Sequence, residues 1–208
     1  MVVRTGAWPK GKRMMDAIGA TLALALLSPV LVAIAVAVRI DSRGPVFFRQ
    51  PRLGQGLEPF VVLKFRTMTT DAAPDLHQQY IAKLASGEAE EDGLKKLTGD
   101  PRVTGVGRLL RRLSLDELPQ LANVVRGDMS LVGPRPALEY ELEHYADHHF
   151  ERFAVKPGMT GLWQVSGRNR LGFQEMLDLD AEYARTTSFA LDVKILAKTP
   201  SAAISGAA

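Results

Sequence analysis

Residues Ala17 to Val38 read AIGATLALALLSPVLVAIAVAV and carry no charged side chain over 22 positions. A straight α-helix of that length, at about 1.5 Å per residue, just spans the ~30 Å hydrocarbon core of a bilayer. Ser28 and Pro29 fall near its middle, and proline removes a helical hydrogen bond and kinks or breaks a helix. The stretch therefore predicts a membrane helix that is broken at Ser28-Pro29.

Basic residues lie on both sides of this apolar stretch. They are Arg4, Lys10, Lys12 and Arg13 before it, and Arg39, Arg43, Arg49 and Arg52 after it. Because Lys and Arg mark the cytoplasmic side of a membrane, two cytoplasmic ends predict a re-entrant helix that dips into one leaflet and returns. A kinked single-pass anchor is the main alternative. A signal peptide would have a shorter apolar run, and a buried soluble helix would show a polar stripe.

The composition limits the other classes of protein. A chain of 208 residues builds one domain with a core, or one domain and an appendage. The absence of cysteine excludes disulfides and thiolate metal sites. Three of the four histidines are His144, His148 and His149, and a solvated helix explains them better than a metal site, because no third ligand is paired with them.

The segment Ser114-Leu115-Asp116-Glu117-Leu118-Pro119-Gln120 holds two adjacent carboxylates just after a basic run that includes Arg111. Ser114 and Glu117 have the spacing of a capping box, which predicts a helix that begins at Ser114. An ionised aspartate among arginines has the chemistry of a nucleophile or of a ligand for a divalent metal at a phosphate site. The alternative is that acidic residues simply favour first turns and the arginines form a solvated face.

The remaining elements follow from shorter patterns. Apolar runs at 46–48 and 60–63, separated by Gly54-Gln55-Gly56, predict a small β-hairpin. Residues 69–100 are polar, with an acidic cluster at 88–92, and predict a mobile loop over a site or a plain surface insertion. Further helices are predicted on either side of a break within 107–126, at 137–150, at 173–186 and from 192, with disorder after Pro200.

Cationic side chains recur on stiff turns at Lys64, Arg66, Arg111, Arg135 and Arg168. Prolines flank Arg135 and fix the backbone of its loop. Several such cations indicate a phosphate-rich ligand, since guanidinium binds phosphate in a bidentate way. No P-loop or dinucleotide fingerprint accompanies them, which argues against a standard ATPase or dehydrogenase. The basic residues adjoin an apolar segment and do not alternate with aromatic ones, so a nucleic-acid partner is not expected.

Nine motifs occur in one order from Lys12 to about Thr199, and together they resemble the bacterial sugar transferase family, the monotopic phosphoglycosyl transferases of minimal catalytic-domain type. They are Lys12-Arg13-Met14-Met15-Asp16, Ser28-Pro29, Gly44-Pro45-Val46-Phe47-Phe48, Lys64-Phe65-Arg66-Thr67-Met68, Asp100-Pro101-Arg102-Val103-Thr104, Ser114 to Leu121, Gly127 to Pro136, Pro157-Gly158-Met159-Thr160-Gly161 and Ser166-Gly167-Arg168.

The resemblance implies an undecaprenyl-phosphate sugar phosphotransferase. Such enzymes move a sugar 1-phosphate from a UDP-sugar to polyprenyl phosphate and release UMP, as the first membrane step of exopolysaccharide, lipopolysaccharide or other glycoconjugate synthesis that downstream glycosyltransferases continue. It implies Asp116 as the nucleophile and a Mg²⁺ ligand, and Glu117 as its partner. Residues expected at the substrate phosphates are Arg111, Arg135, Lys64, Arg168 and Asn169.

The fold expected from these patterns is α/β and mainly helical, with few short strands and with amphipathic helices at the membrane interface. Residues 1–43 are expected to form the N-terminal segment with the re-entrant helix, residues 44–199 the catalytic domain on the cytoplasmic face of the bacterial inner membrane, and residues 200–208 a disordered tail. Two other functions stay open: a membrane-anchored module that binds nucleotide sugars or anionic lipids, and a hydrolase of lipid or nucleotide diphosphates.

Overall fold

The computed structural model describes residues 10–69, 102–167 and 171–205, and it is mostly helical with four short strands in this part of the chain. The predicted loop at 69–100 lies almost entirely outside the described residues. The α-helices are α1 (Lys10–Asp41), α2 (Gly105–Arg112), α3 (Gln120–Arg126), α4 (Leu162–Ser166), α5 (Phe173–Thr186) and α6 (Phe189–Ser205). The strands are β1 (Phe47–Leu53), β2 (Pro59–Phe65), β3 (Ser130–Val132) and β4 (Gly158–Thr160).

Helix α1 contains Pro29, and helical backbone lies on both sides of it, so α1 is one element and the predicted break at Ser28-Pro29 stays a prediction. Pro29 has no N–H to donate to the carbonyl of Ala25, four residues earlier. The Ser28 hydroxyl donates to this carbonyl at 2.8 Å. A serine that takes over the carbonyl freed by a proline is the usual way in which a helix tolerates proline in an apolar environment.

One face of α1 packs against the rest of the protein along both halves of the helix. The first half meets a core cluster built around Val62, Leu121, Val124 and Met129, and the second half meets a cluster built around Phe65 and Leu110. The opposite face is apolar and exposed, with Ile18, Leu22, Leu26, Val32, Val36 and Ile40. In the described part of the chain, α1 is the one helix long and apolar enough to cross a membrane.

The hairpin of β1 and β2 confirms the predicted β-hairpin, although its strands are longer than the apolar runs suggested. The side chain of Asn123 on α3 holds the outer edge of β2. Its Oδ1 accepts from the Leu63 N–H at 3.1 Å, and its Nδ2 donates to the Val61 carbonyl at 2.7 Å. These bonds fix the hairpin relative to the turn that precedes α3.

Strands β3 and β4 are parallel and lie so close that glycine is required at their contact. A Cβ atom on Gly158 would lie 2.0 Å from the nitrogen of Gly133. The Gly158 N–H donates to the carbonyl of Pro134 at 2.8 Å. This contact fixes the start of the Pro134–Pro136 loop, the segment that carries Arg135.

A buried polar cluster joins the beginning of α1 to α6. Lys12 Nζ contacts Asp192 Oδ2 and also donates to the Val132 carbonyl at 3.2 Å. The Tyr183 hydroxyl donates to Asp192 Oδ1 at 2.6 Å. One turn later, Asp16 accepts from the Ser130 hydroxyl at 2.7 Å. These bonds attach the N-terminal turns of the apolar helix to the globular part.

Helices α2 and α3 confirm the predicted helices on either side of a break, but the predicted start at Ser114 is wrong, and so is the helix predicted at 137–150. An N-cap residue needs extended backbone, but Ser114 has a φ of 55° and forms no side-chain cap. Ser114 lies instead just after the end of α2, in the left-handed conformation that often ends a helix. Residues Leu115–Glu117 then form a short 3₁₀ helix. Residues 137–150 form no α-helix. They contain one 3₁₀ helix at Glu139–His144 and the first part of another at Asp147–Ala154. Between them Tyr145 is extended and packs among the rings of Phe150, Phe153 and Phe173.

The C-terminal helices follow the sequence more closely. Helix α5 has the predicted bounds. Helix α6 begins three residues before the predicted start at 192 and continues to Ser205, so the predicted disorder after Pro200 is wrong up to that residue. The hydroxyls of Thr160 and Thr199 form a hydrogen bond of 2.9 Å, which fixes the second half of α6 against β4.

Candidate active site

Asp116 and Glu117 lie in the 3₁₀ helix between α2 and α3, where the chain reverses after Ser114. Both residues are half-buried. The cluster that packs the second half of α1 includes Leu115 and Leu118, the neighbours of the two acids in the chain. The adjacent apolar residues therefore anchor the turn, and the carboxylates stay partly accessible.

Lys64 is the cation in direct contact with this pair. Its Nζ lies 2.6 Å from Oε1 of Glu117. Lys64 is the penultimate residue of β2, and the bonds from Asn123 hold the same strand. A lysine on a fixed strand thus orients the glutamate and brings a positive charge next to the aspartate.

Arg111 adds a second positive charge from the last turn of α2. Its Nε donates to the Thr67 hydroxyl at 2.9 Å. Gly107, one turn earlier in α2, has no room for a side chain, because a Cβ atom there would lie 2.2 Å from the Thr67 carbonyl oxygen. The close approach of α2 to Thr67 sets the position from which Arg111 acts on Asp116.

The electrostatics of the cluster act mainly on Asp116. Burial, followed by repulsion from Glu117, raises the pKa of Asp116 to about 6, and Lys64 and Arg111 oppose this rise. The two carboxylates cannot both ionise easily, so they favour a divalent cation as a ligand, and the two cations beside them favour phosphate groups. The oxygen donors of Asp116 and Glu117 suit Mg²⁺, although Lys64 already holds one oxygen of Glu117.

Arg135 is placed by a buried ion pair behind its loop. Arg152 Nη2 donates to Asp180 Oδ2 and to the carbonyl oxygen of Arg135, both at 2.6 Å. The N–H of Arg135 donates to the same Asp180 oxygen at 3.3 Å. The backbone of Arg135 is therefore held from both sides, which leaves its side chain to project from a rigid loop.

Arg52 and Gln50 are site residues that the sequence patterns missed. Arg52 was assigned to the basic flank of the membrane helix, but its side chain is buried on β1. Burial first, and Arg135 second, lower the pKa of Arg52 to about 10, while Glu141 and, more weakly, Glu117 raise it. Arg52 therefore lies within electrostatic range of both Arg135 and Glu117. The available sequence signal was the alternation of Phe48, Gln50 and Arg52, which places the three side chains on one face of a strand.

The structure brings Lys64, Arg111, Asp116 and Glu117 together, and Arg52 connects this cluster electrostatically to Arg135. The two other predicted phosphate-binding residues, Arg168 and Asn169, lie outside the described residues. Ser28 and Pro29 are in the middle of α1.

The histidine cluster differs from its prediction. His148 and His149 both contact Oδ1 of Asp178, at 2.7 and 2.9 Å, so a third polar group does accompany them. Nδ1 of His149 accepts the N–H of Ala146 at 3.0 Å. Neutral His149 therefore carries its proton on Nε2 and donates it to Asp178, which leaves no lone pair there for a metal. The two histidines therefore each hydrogen-bond to Asp178 and so join a 3₁₀ helix to α5.

Comparison with known proteins adds a family match. The model of a family described as bacterial sugar transferase matches residues 8–206. The exopolysaccharide production protein ExoY of Rhizobium meliloti is 41% identical over 188 residues, which cover 90% of this chain and 83% of that protein.

Two further relatives have names that specify a reaction. The UDP-galactose-lipid carrier transferase of Erwinia amylovora is 44% identical over 90% of this chain, but the match covers only 39% of that protein. The UDP-glucose:undecaprenyl-phosphate glucose-1-phosphate transferase of Caulobacter vibrioides is 41% identical over 90% of this chain and 67% of that protein. The chain thus matches most of the length of ExoY and about two fifths of the Erwinia protein.

Proposed function

The chain belongs to the bacterial sugar transferase family and is a transferase, and from this premise we propose that it moves a sugar 1-phosphate from a UDP-sugar to undecaprenyl phosphate. The observation that carries the proposal is the half-buried Asp116–Glu117 pair, with Lys64 and Arg111 acting on it. Carboxylates facing cations suit a reaction between anionic phosphates. The names of the Erwinia and Caulobacter relatives support a UDP-sugar donor and a lipid carrier.

In the first step the Asp116 carboxylate attacks the phosphorus that bears the sugar. An oxygen–phosphorus bond to Asp116 forms, the bond from that phosphorus to the bridging oxygen breaks, and UMP leaves with the electron pair. Lys64 and Arg111 reduce the repulsion between the carboxylate and the phosphates, and they lower the fraction of Asp116 that is protonated. The aspartyl-phosphosugar intermediate separates the two substrates in time and predicts ping-pong kinetics.

In the second step an oxygen of undecaprenyl phosphate attacks the same phosphorus and displaces Asp116. Glu117 accepts a proton from a protonated lipid phosphate or orients it, and the ion pair with Lys64 supports this role because it fixes the Glu117 side chain. A Mg²⁺ ion, when bound by Asp116 and the substrate phosphates, would supply additional neutralisation of their charge. The sugar 1-phosphate ends on the lipid, and Asp116 regains its free carboxylate.

UMP release from a panel of UDP-sugars tests this function. The full-length chain, in detergent with undecaprenyl phosphate and Mg²⁺, is expected to release UMP with at least one donor and to form the corresponding lipid-linked sugar. UDP-glucose and UDP-galactose belong in the panel because the relatives are named for them. UMP release without lipid product, at equal rates with and without the acceptor, would identify a hydrolase. Binding of UDP-sugars with no release from any donor would favour a binding module.

We also propose that α1 bends at Ser28-Pro29, where the proline removes a helical hydrogen bond, so that it is re-entrant and the catalytic part lies on the cytoplasmic face of the bacterial inner membrane. Three observations support this. Both halves of α1 pack against the same globular part, its opposite face is apolar and exposed, and basic residues flank both ends. A helix that crossed the bilayer would have to separate its two ends by the whole membrane, whereas here polar groups of one domain contact both ends.

Cysteine labelling distinguishes the two topologies, because the native chain has no cysteine. Single variants Gly11→Cys and Arg43→Cys place an exposed thiol at either end of α1. In inside-out vesicles, whose cytoplasmic face is outward, a membrane-impermeant maleimide is expected to label both variants. In spheroplasts, whose periplasmic face is outward, it is expected to label neither. Labelling of one variant in each preparation would show a single crossing and contradict the re-entrant topology.

A further inference from the structure

Arg52 lies in one row with Lys64 on the inner face of the hairpin. In the antiparallel register, Phe48 pairs with Lys64 and Arg52 pairs with Phe60, with Gln50 and Val62 between them. Because alternate residues of a strand point to the same face, Lys64, Gln50 and Arg52 share that face. Along this face of the hairpin, Lys64 is therefore followed by the amide of Gln50 and then by the guanidinium of Arg52.

Among the described residues no carboxylate contacts the buried guanidinium of Arg52, although the buried carboxylate of Glu141 acts on it from farther away. Arg52 is 7% exposed. Nη1 donates to the Pro136 carbonyl at 2.9 Å, while Nε and Nη2 donate to Oε1 of Gln50 at 3.1 and 2.8 Å. These bonds use three of the five N–H groups of a guanidinium, and every acceptor is neutral. A buried cation is unfavourable unless an anion pairs with it, so this arrangement favours an anionic ligand.

Arg66 is another buried arginine of this protein, and it lies at the end of a helix. It is 5% exposed, and its Nη2 donates to the carbonyls of Val38 and Ser42 at 3.3 and 2.7 Å. These carbonyls lie at the C-terminal end of α1, where the helix dipole is negative and favours a cation. The acceptors of Arg52 are an amide and a loop carbonyl that belong to no helix end. Arg52 therefore has no helix end to compensate its charge, and the repulsion by Arg135 acts on it together with the attraction by Glu141.

We propose that Arg52 binds a phosphate group of the nucleotide diphosphate, together with Arg135, and so extends the phosphate site from Lys64 to the Pro134–Pro136 loop. The inference rests on the proposed function, because it assumes a UDP-sugar as donor. Arg52 is bonded to the carbonyl of Pro136, the residue after Arg135, and both Arg135 and Glu117 act on its charge. A diphosphate whose sugar-bearing phosphorus meets Asp116 has its second phosphate on this side.

Gln50→Glu is the decisive variant because it keeps the shape of the side chain that Arg52 contacts. It places a carboxylate oxygen where the amide oxygen now accepts two N–H groups. The new internal anion is expected to raise the thermal unfolding midpoint and, by competing with the ligand, to lower the affinity for UDP by about tenfold or more. If Arg52 were only structural, the variant would be stabilised and would bind UDP like the native chain.

The measurement is isothermal titration calorimetry of the full-length chain in detergent with UDP and with uridine, both with Mg²⁺. Arg52→Gln is expected to lower UDP affinity by a similar factor and to leave uridine affinity unchanged. Gln174→Glu is the control and is expected to bind UDP normally, because it adds the same charge at an exposed position in the first turn of α5 and removes one exposed hydrogen bond, to the His144 carbonyl. If Arg52→Gln does not fold, Gln50→Glu alone decides.

The outcomes separate this inference from the proposed function. A native chain that releases UMP from a UDP-sugar, while Gln50→Glu and folded Arg52→Gln bind UDP with native affinity, overturns the role of Arg52 and leaves the function intact. A native chain that releases no UMP, but whose UDP affinity falls in both variants, keeps Arg52 as a diphosphate-binding residue and overturns the transfer reaction. A native chain that does not bind UDP overturns both.

Discussion

Replacing Asp116 by Asn is expected to lower the rate of sugar-phosphate transfer by roughly 10⁴-fold or more, the scale seen when an enzyme loses its nucleophile. Asparagine keeps the size of the side chain but cannot attack phosphorus as a carboxylate does. The measurement is the initial rate of lipid-linked sugar formation with the donor that the native chain uses. A variant that retains more than about a tenth of the native rate would contradict the role of Asp116 as nucleophile.

The loss of activity is expected without loss of stability. The pKa of Asp116 is raised to about 6 in the folded chain, mainly by burial. The folded state therefore binds this proton more tightly than the unfolded state, and the stabilisation it gives is present at low pH and is lost as the pH rises through about 6. At neutral pH an uncharged Asn should be tolerated as well as the aspartate. Asp147→Asn, at an exposed acid in the first turn of another 3₁₀ helix, is the matched control and should keep native activity.

Replacing Lys12 by Met is expected to lower the free energy of unfolding by about 3–5 kcal/mol, because it leaves the buried carboxylate of Asp192 without its cation. The same change should loosen the first turns of α1, which the Lys12–Asp192 contact attaches to α6. Denaturant unfolding in detergent, followed by tryptophan fluorescence, measures the loss. Lys194→Met, at an exposed position on the same helix as Asp192, is expected to change the free energy of unfolding by less than about 0.5 kcal/mol.

A second substitution shows whether the missing charge is the cause. In the double variant Lys12→Met, Asp192→Leu the carboxylate that Lys12 contacts is removed with its cation, and Tyr183 keeps the Val132 carbonyl as an acceptor at 3.0 Å. The buried carboxylate of Asp16 loses the nearby charge of Lys12 but keeps its hydrogen bonds from Ser130 and Leu131. Such replacements of a buried ion pair by apolar residues are often neutral or stabilising. The double variant should therefore recover the part of the stability that the unpaired Asp192 carboxylate costs, and the effect on Asp16 stays. Equal instability of the single and double variants would show that the effect of Lys12 lies elsewhere.

Local patterns predicted the elements whose stability comes from their own sequence. The bounds of α5 and the position of the hairpin follow from apolar periodicity and from glycine in the turn. The failures have tertiary causes. The ring of Tyr145 packs among three phenylalanines with an extended backbone, which interrupts a helix that local propensity favours. At Ser28 the contact is local: the serine hydroxyl donates to the Ala25 carbonyl that Pro29 leaves free, α1 is one helical element, and a bend at this point stays a prediction.

The candidate site was predictable in its residue types and less so in its contacts. The resemblance supplied Asp116, Glu117, Lys64 and Arg111, and the structure brings these four together across 53 positions of the chain between Lys64 and Glu117. Arg52 was missed because the atom that fixes it, the carbonyl of Pro136, is 84 positions away. No periodicity within a strand reveals such a partner. The pairing register of the hairpin was also needed to show that Arg52 shares a face with Lys64.

The covalent step is tested most directly by the mass of the chain after incubation with its UDP-sugar donor and Mg²⁺ in the absence of undecaprenyl phosphate. The expected result is a mass increase equal to one sugar phosphate, located by peptide fragmentation on Asp116, released by added undecaprenyl phosphate, and absent from the Asp116→Asn variant. An unmodified chain that transfers sugar phosphate to the lipid only when both substrates are present together would contradict the aspartyl intermediate and favour direct transfer.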